Sequence, residues 1–302
     1  MASTAAVPPQ ASGETVRDWV ARAAGRLSGA GVDSARLDAR LLMASVLGGG
    51  VERVLSQSEH VLDGAEQAKL AALLARREGR EPVSQILGGR EFWSLPFRVT
   101  RATLTPRPDS ETLIEAVLDR VPDRAASLRI LDLGTGSGCL LLSVLHEYEN
   151  AVGVGVDISA DALDVAGVNA DALGLAGRAT FVEGGWDAAT DKAAEGRFDI
   201  VISNPPYIPD DDIAGLMPEV ARFEPLGALA GGADGLDAYR AIVDVLDGYL
   251  EKGGQVFFEV GAGQDREVEE LLCQAGFSGL ATRRDSAGIR RCVMGVCQGV
   301  TP

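Results

Sequence analysis

Histidine is nearly missing from this chain: His60 and His146 are the two it has. A His-rich metal site is thereby excluded. A Ser-His-Asp hydrolase is disfavoured, because His146 falls within a helical pattern and His60 lies in the N-terminal part. The four cysteines, Cys139, Cys273, Cys292 and Cys297, show no CxxC spacing. That speaks against zinc of any kind, and no metal is expected; the cysteines read as core packing or inert surface. The chemistry of this chain therefore has to need little acid–base help.

Long apolar runs are also lacking. None approaches the roughly 20 residues of a membrane span. Residues 1–13 are rich in Ala, Ser and Pro, with neither the basic-then-apolar pattern of a signal peptide nor an Arg-rich transit pattern. They are expected to form a disordered tail, and the protein to be cytoplasmic, with no membrane partner. Positive charge is scarce: 28 Lys and Arg stand against 44 Asp and Glu, a net charge of −16. No basic run exceeds short pairs such as Arg76-Arg77. Nucleic-acid binding draws on phosphate neutralisation, so this balance argues against a protein that tracks DNA. Otherwise the composition is that of an ordinary globular protein, long enough for one large domain or two smaller ones.

The chain changes character twice. Over residues 14–78 apolar positions such as Val16, Trp19, Val20, Ala23 and Leu27 recur at helical spacing, predicting a small helical bundle. Residues 79–108 read as a linker containing a β-hairpin, with Gln85-Ile86-Leu87 and Arg90-Glu91-Phe92-Trp93 flanking a Gly88-Gly89 turn. A proline-stiffened stretch, Leu104 to Asp109, follows, and Asp109 or Ser110 is expected to cap a helix over Glu111 to Arg120. From residue 109 to 302 strands and helices alternate. Candidate strands are 129–133, 152–156, 179–182, 198–202, 255–260 and 291–296. This alternation predicts an α/β fold with a doubly wound, mostly parallel sheet, in which ligands bind beyond the carboxyl ends of the strands.

The motifs sit at such ends. Asp132-Leu133-Gly134-Thr135-Gly136-Ser137-Gly138 closes the first strand and opens a helix. Its G-x-G-x-G spacing places Cys139 where a dinucleotide loop has its third glycine, and no Gly-Lys-Ser/Thr ending follows, so a diphosphate ligand is disfavoured. The loop is similar to that of S-adenosylmethionine-dependent methyltransferases. Asp157 ends the second strand, well placed to accept both ribose hydroxyls; capping the next helix is the alternative. Glu183 to Asp187 follows the third strand, and Trp186 either stacks on an adenine or covers a domain edge. After the fourth strand comes Asn204-Pro205-Pro206-Tyr207. Two prolines stop the strand ladder and leave a rigid lip with a side-chain amide, free carbonyls and an aromatic ring. That inventory suits gripping a planar NH2 group, although a plain Pro-rich turn would look similar.

Taken together, these segments resemble the HemK-like release-factor glutamine methyltransferases. Beyond the lip, the likeness is carried by Gly89 to Phe97, Thr105 to Glu111, Arg222 to Leu229, Phe258 to Gly261, Arg284 to Gly288 and Gly31 to Ala39. It spans roughly residues 14 to 296. The resemblance implies a Rossmann-like class I methyltransferase fold and S-adenosyl-L-methionine as cofactor. The acceptor would be the glutamine side-chain amide in the Gly-Gly-Gln loop of peptide chain release factors. By the same resemblance Asp132 and Gly134, Thr135, Gly136, Ser137 and Gly138 serve the cofactor, with Asp157 on ribose, Trp186 by adenine and Asn204 near both ligands. Asn204, Pro205, Pro206 and Tyr207 would hold the glutamine, and Arg107 would shape the entrance. A glutamine of a ribosomal protein is the neighbouring reading, and an adenine or guanine amino group of nucleic acid a more distant one. The chain is expected to act as a monomer.

Two positions depart from that family's pattern. Gly185 stands where an acidic residue usually precedes the aromatic, so any contact to the adenine amino group would pass to backbone or to Asp187. Ser45 stands where a histidine is common. The expected chemistry is orientation: the amide lone pair is delocalised into its carbonyl. Acceptance of the two amide hydrogens by the Asn204 oxygen and the Pro205 carbonyl would aim the nitrogen at the methyl group and drain charge as the new bond forms. Tyr207 would pack on the amide plane.

Overall fold

The computed structural model describes residues 13–299, and the chain falls into two compact units that divide after Leu87. The tail expected over residues 1–13 lies, Gly13 apart, outside the described residues.

The first unit is helical: α1 (Val16–Gly29), α2 (Ala35–Leu47), α3 (Val51–Ser56), α4 (Gly64–Glu78) and α5 (Val83–Leu87). On α1 the buried residues Val16, Trp19, Ala23 and Leu27 keep one face, the stripe that amphipathic spacing demands. Thr15 caps α1 through the Asp18 N–H, and Asp63 with Glu66 forms a capping box on α4. These caps satisfy amides that have no partner inside the helix. Within the core Arg77 Nε donates to Asp38 Oδ2 at 2.7 Å, and Ser34 Oγ donates to the other oxygen at 2.9 Å. Ser45 spends its hydroxyl on the Leu42 carbonyl of its own helix.

α5 corrects one expectation. Gln85 to Leu87 are helical: the Gln85 and Ile86 amides donate to the Pro82 carbonyl, and a proline at the start of a turn favours that geometry. The hairpin exists but is displaced along the chain. β1 (Gly89–Phe92) pairs antiparallel with β2 (Leu95–Arg98), and Phe92 faces Leu95, so Trp93 and Ser94 make the turn. Both have positive φ, 52° and 57°, as a two-residue hairpin turn requires. Trp93 is tied down in that conformation by its backbone N–H on Glu111 Oε1 and its indole on Glu147 Oε1.

The rest of the second unit is α6 (Glu111–Arg120), β3 (Arg129–Leu133), α7 (Cys139–Glu147), β4 (Val152–Asp157), α8 (Ala160–Ala172), β5 (Ala179–Glu183), α9 (Thr190–Ala194), β6 (Phe198–Ser203), α10 (Pro218–Ala221), α11 (Asp237–Tyr249), β7 (Leu250–Glu259), α12 (Asp265–Gln274), β8 (Ser278–Arg284) and β9 (Arg290–Val296). The sheet order is β5-β4-β3-β6-β7-β9-β8. Its strands run parallel except β9, which opposes both neighbours. Alternate residues feed opposite faces. Ile130, Ile200 and Phe257 pack with α6 and α7, whereas Leu131, Val201 and Val256 pack with α11 and α12. Strands buried on both faces read as continuous apolar runs.

Two further corrections concern the ends of the elements. Ser110 makes no capping bond to α6; the helix is entered through a 3-10 turn over Pro108–Ser110, and Asp109 pairs with Arg291 at 3.2 Å. β8 has no counterpart among the expected strands, because its residues, none of them buried, include Gly279 and two arginines and show no alternation. The doubly wound order reverses between β3 and β6. Their carboxyl ends therefore lie side by side, with Ser203 Oγ donating to the Leu133 carbonyl at 2.6 Å. Such a switch point is where a crevice forms.

Candidate active site

A cleft opens above that switch point. It encloses about 1070 Å³ including the open space at its mouth. Gly134, Thr135, Gly136 and Ser137 line it from the loop after β3. Asp157 lines it after β4, Trp186 after β5 and Asn204 after β6. Four strand ends thus converge on one cleft.

The glycine loop after β3 is pinned to the neighbouring strand β4. The Gly134 and Thr135 amides both donate to the Val156 carbonyl at 2.9 Å. Thr135 Oγ1 donates to Asp132 Oδ2 at 2.7 Å. Asp132 is fully buried beneath the loop and does not line the cleft. Burial pushes its carboxyl up to about 7, against the opposing pull of Thr135. Its Oδ1 and the Ser137 hydroxyl have no hydrogen-bond partner among the described residues. Gly134 and Gly136 have positive φ, 76° and 55°, which bare backbone adopts without strain. A Cβ on Gly134 would stand 3.5 Å from the Trp186 ring. Gly138 is buried at the start of α7, outside the cleft lining.

Asp157 bridges two turns: Oδ2 accepts from the Gly136 amide and Oδ1 from the Ser159 amide, both at 2.9 Å. Ser159, with its side chain on the Ala162 amide, is the residue that caps α8. Each carboxylate oxygen of Asp157 keeps a second lone pair for a ligand. Trp186 packs on the sheet core, and the Tyr249 hydroxyl donates to its carbonyl at 2.8 Å. Beside it Gly184 lines the cleft, whereas Gly185 and Asp187 do not.

Asn204 is shared. It lines this cleft and also a second cavity walled by Tyr207, Glu259, Arg107 and apolar side chains including Leu104 and Leu229. Its Nδ2 donates to Ser110 Oγ at 3.3 Å. Pro206 lines the first cleft and Tyr207 the second; Pro205 is buried and lines neither. Arg107 lines both, its guanidinium 2.7 Å from buried Glu224.

Several lining residues have no catalytic look in the sequence. Ala102 to Leu104, Ser110, Ile158, Pro225, Gly227 and Ala228 supply much of the wall. The signal for them is indirect: two of the shared segments quoted above, Thr105 to Glu111 and Arg222 to Leu229, meet here through Arg107 and Glu224. Cys139 also lines the cleft. Burial pushes its thiol up to about 12, so it stays protonated and is no nucleophile. Cys292 and Cys297 are core residues.

Fold and cleft together define a class I methyltransferase. The family models agree: residues 18–88 match the PrmC N-terminal domain and residues 108–217 the methyltransferase small domain. Among solved structures, the hMettl16 catalytic domain in complex with MAT2A 3'UTR hairpin 6 shares the fold. Its TM-score is 0.56 at 14% identity, over 79% of this chain and 84% of that one. The release factor glutamine methyltransferase of Rhodospirillum rubrum is 48% identical over 90% of this chain and 82% of its own length. That of Bradyrhizobium diazoefficiens is 43% identical over 93% and 95%. The chain belongs to the release factor glutamine methyltransferase family.

Proposed function

We infer that this protein transfers a methyl group from S-adenosyl-L-methionine to the side-chain amide nitrogen of the glutamine in the Gly-Gly-Gln motif of peptide chain release factors. The observation that carries this reading is the position of Asn204 between two contiguous cavities. One is suited to the cofactor, the other to the acceptor.

The residues present fit the cofactor. Asp157 keeps lone pairs for a ribose diol, and Trp186 with Ile158 and Leu104 makes an apolar slot for a base. The unpartnered oxygens of Asp132 and Ser137 lie at the floor of the loop, where buried polar groups ordinarily find partners. When bound, S-adenosylmethionine supplies an electrophilic methyl group. The chain's own residues do the rest. Ser110 engages the Asn204 NH2 group, so Oδ1 is left to accept one hydrogen of the acceptor amide, with the Pro205 carbonyl taking the other. Two fixed acceptors would orient the nitrogen and offset its positive charge as the N–C bond forms and the methyl–sulfur bond breaks with its electron pair left on sulfur, one N–H proton then passing to solvent water. Apolar walls at Leu104, Pro206 and Ala228 limit water. Holding reactants in place supplies several kcal/mol of such a barrier, on the order of 7 or more in well-oriented cases.

The helical unit is assigned to docking the release factor, because a loop glutamine on a folded protein needs contacts beyond the lip. α5 belongs to the helical unit, and the hairpin together with residues 109–302 is assigned to the methyl-transfer unit. The test is incubation with purified release factor, ribosomal protein and tRNA in the presence of labelled S-adenosylmethionine. Label in the release factor supports the reading, and label in either other substrate alone overturns it.

A further inference from the structure

Glu259 ends β7 at the floor of the second cavity and is 1% exposed. Its Oε1 accepts from the Tyr207 hydroxyl at 3.4 Å. Its Oε2 has no hydrogen-bond partner among the described residues. A carboxyl buried on the cavity floor carries a desolvation cost that an apolar side chain of similar shape would avoid. Five residues on, Gln264 turns back on the same tyrosine. Its Oε1 accepts from the Gly261 amide at 3.0 Å, and its Nε2 donates to the Tyr207 carbonyl at 3.0 Å. One turn thus grips Tyr207 at both ends. The packing leaves no slack: a Cβ on Gly261 would lie 3.1 Å from Tyr207 Cδ2, and one on Gly235 2.4 Å from the Tyr207 carbonyl oxygen.

We propose that Glu259 and Gln264 are positioning residues that clamp Tyr207, so that its ring stands against the acceptor amide held by Asn204. The clamp rests on the methyl-transfer reading above. The groups facing Glu259 are the Tyr207 and Ser110 hydroxyls, Arg291, Asp109 and the Cys292 and Cys139 thiols; Tyr239 donates to its backbone carbonyl at 2.7 Å. Burial dominates and pushes the carboxyl up to about 7, with Ser110 and Arg291 opposing. An ionised carboxylate is the stronger acceptor for a hydroxyl, so the grip on Tyr207 tightens as pH rises through that range.

The test uses the full chain with purified release factor and saturating cofactor. Wild-type kcat is expected to rise through pH 7. Glu259→Gln, nearly isosteric and unable to ionise, should show a flat profile near the low-pH limb, with cofactor Kd unchanged. Glu259→Leu and Tyr207→Phe should each lower kcat by about tenfold, a modest misplacement cost, and the double variant should be no worse than either. A wild-type pH step in Glu259→Gln, or multiplied losses in the double variant, overturns the clamp. If Glu259→Leu fails to fold, the Glu259→Gln profile decides alone. Absence of any transfer by the wild-type chain sinks the methyl-transfer reading, and the clamp with it.

Discussion

Asn204 Nδ2 donates to Ser110 Oγ at 3.3 Å, tying the lip after β6 to the turn that enters α6. This bond fixes the orientation of the asparagine amide, which on the proposed reading leaves Oδ1 to meet the acceptor. Asn204→Ala should bind cofactor normally and lose methyl transfer by about 10²–10³-fold, the usual cost of deleting one preorganised polar contact. Labelled transfer to release factor, alongside calorimetry with the cofactor, checks both halves. Transfer at the wild-type rate would show that the amide does not orient the acceptor.

Asp157 is proposed to hold the cofactor ribose. Both its oxygens already brace backbone amides, so on that reading Asp157→Ala removes a ligand contact and loosens the glycine loop together. Cofactor affinity should fall by roughly ten- to hundredfold, from the loss of charged hydrogen bonds of about 1.5–3 kcal/mol. KM for the release factor should change little. Calorimetry with unchanged cofactor affinity would remove Asp157 from the site.

Asp132 gives a pH dependence whose sign is fixed. Its folded-state carboxyl is raised to about 7, above the value near 3.9 of an unfolded chain. Between those values the folded state holds the proton and the unfolded state does not, so stability falls as pH rises from about 4 to 7. Asp132→Asn should make this decline shallower, with buried Glu259, also raised to about 7, supplying the remainder. Thermal unfolding of both proteins from pH 5 to 8 measures it, and parallel curves would contradict the assignment.

Much of this arrangement is legible in the sequence, and the exceptions have physical causes. Strands buried on both faces, such as Ile130 to Leu133 and Ile200 to Ile202, declare themselves as apolar runs. The edge strand β8 does not, since its half-exposed residues carry no periodicity. β7 begins at Leu250, earlier than the apolar run suggests, because Lys252-Gly253-Gly254 looks like a turn and is in fact an irregularity in its pairing with β6. At the site, residues with distinctive chemistry, Asp157 and Asn204, stand out locally. Ser110 does not: a serine before a helix looks like a cap, and only the tertiary fold sets it against Asn204. The role of Glu224 is hidden for the same reason, since its partner Arg107 lies 117 positions away.

In the helical unit the Arg77–Asp38 pair is nearly sealed from solvent, at 5% and 3% side-chain exposure. Asp38→Ala leaves Arg77 short of its charged partner and should destabilise this unit by about 3–5 kcal/mol. Denaturant unfolding reads this out, and a loss below 1 kcal/mol would show that the pair is not structurally important. Cofactor affinity should be unaffected.

Docking by the helical unit has its own check. A chain beginning at Gly88 should show a larger rise in KM for release factor than for cofactor. Equal changes would contradict a docking role.

The most direct measurement is mass spectrometry of a release factor after incubation with this protein and isotopically labelled S-adenosylmethionine. One added methyl on the side-chain amide nitrogen of the Gly-Gly-Gln glutamine, absent with Asn204→Ala, is the expected result. A methyl placed on another residue, or label found in ribosomal protein or tRNA while the release factor stays unmodified, would contradict it.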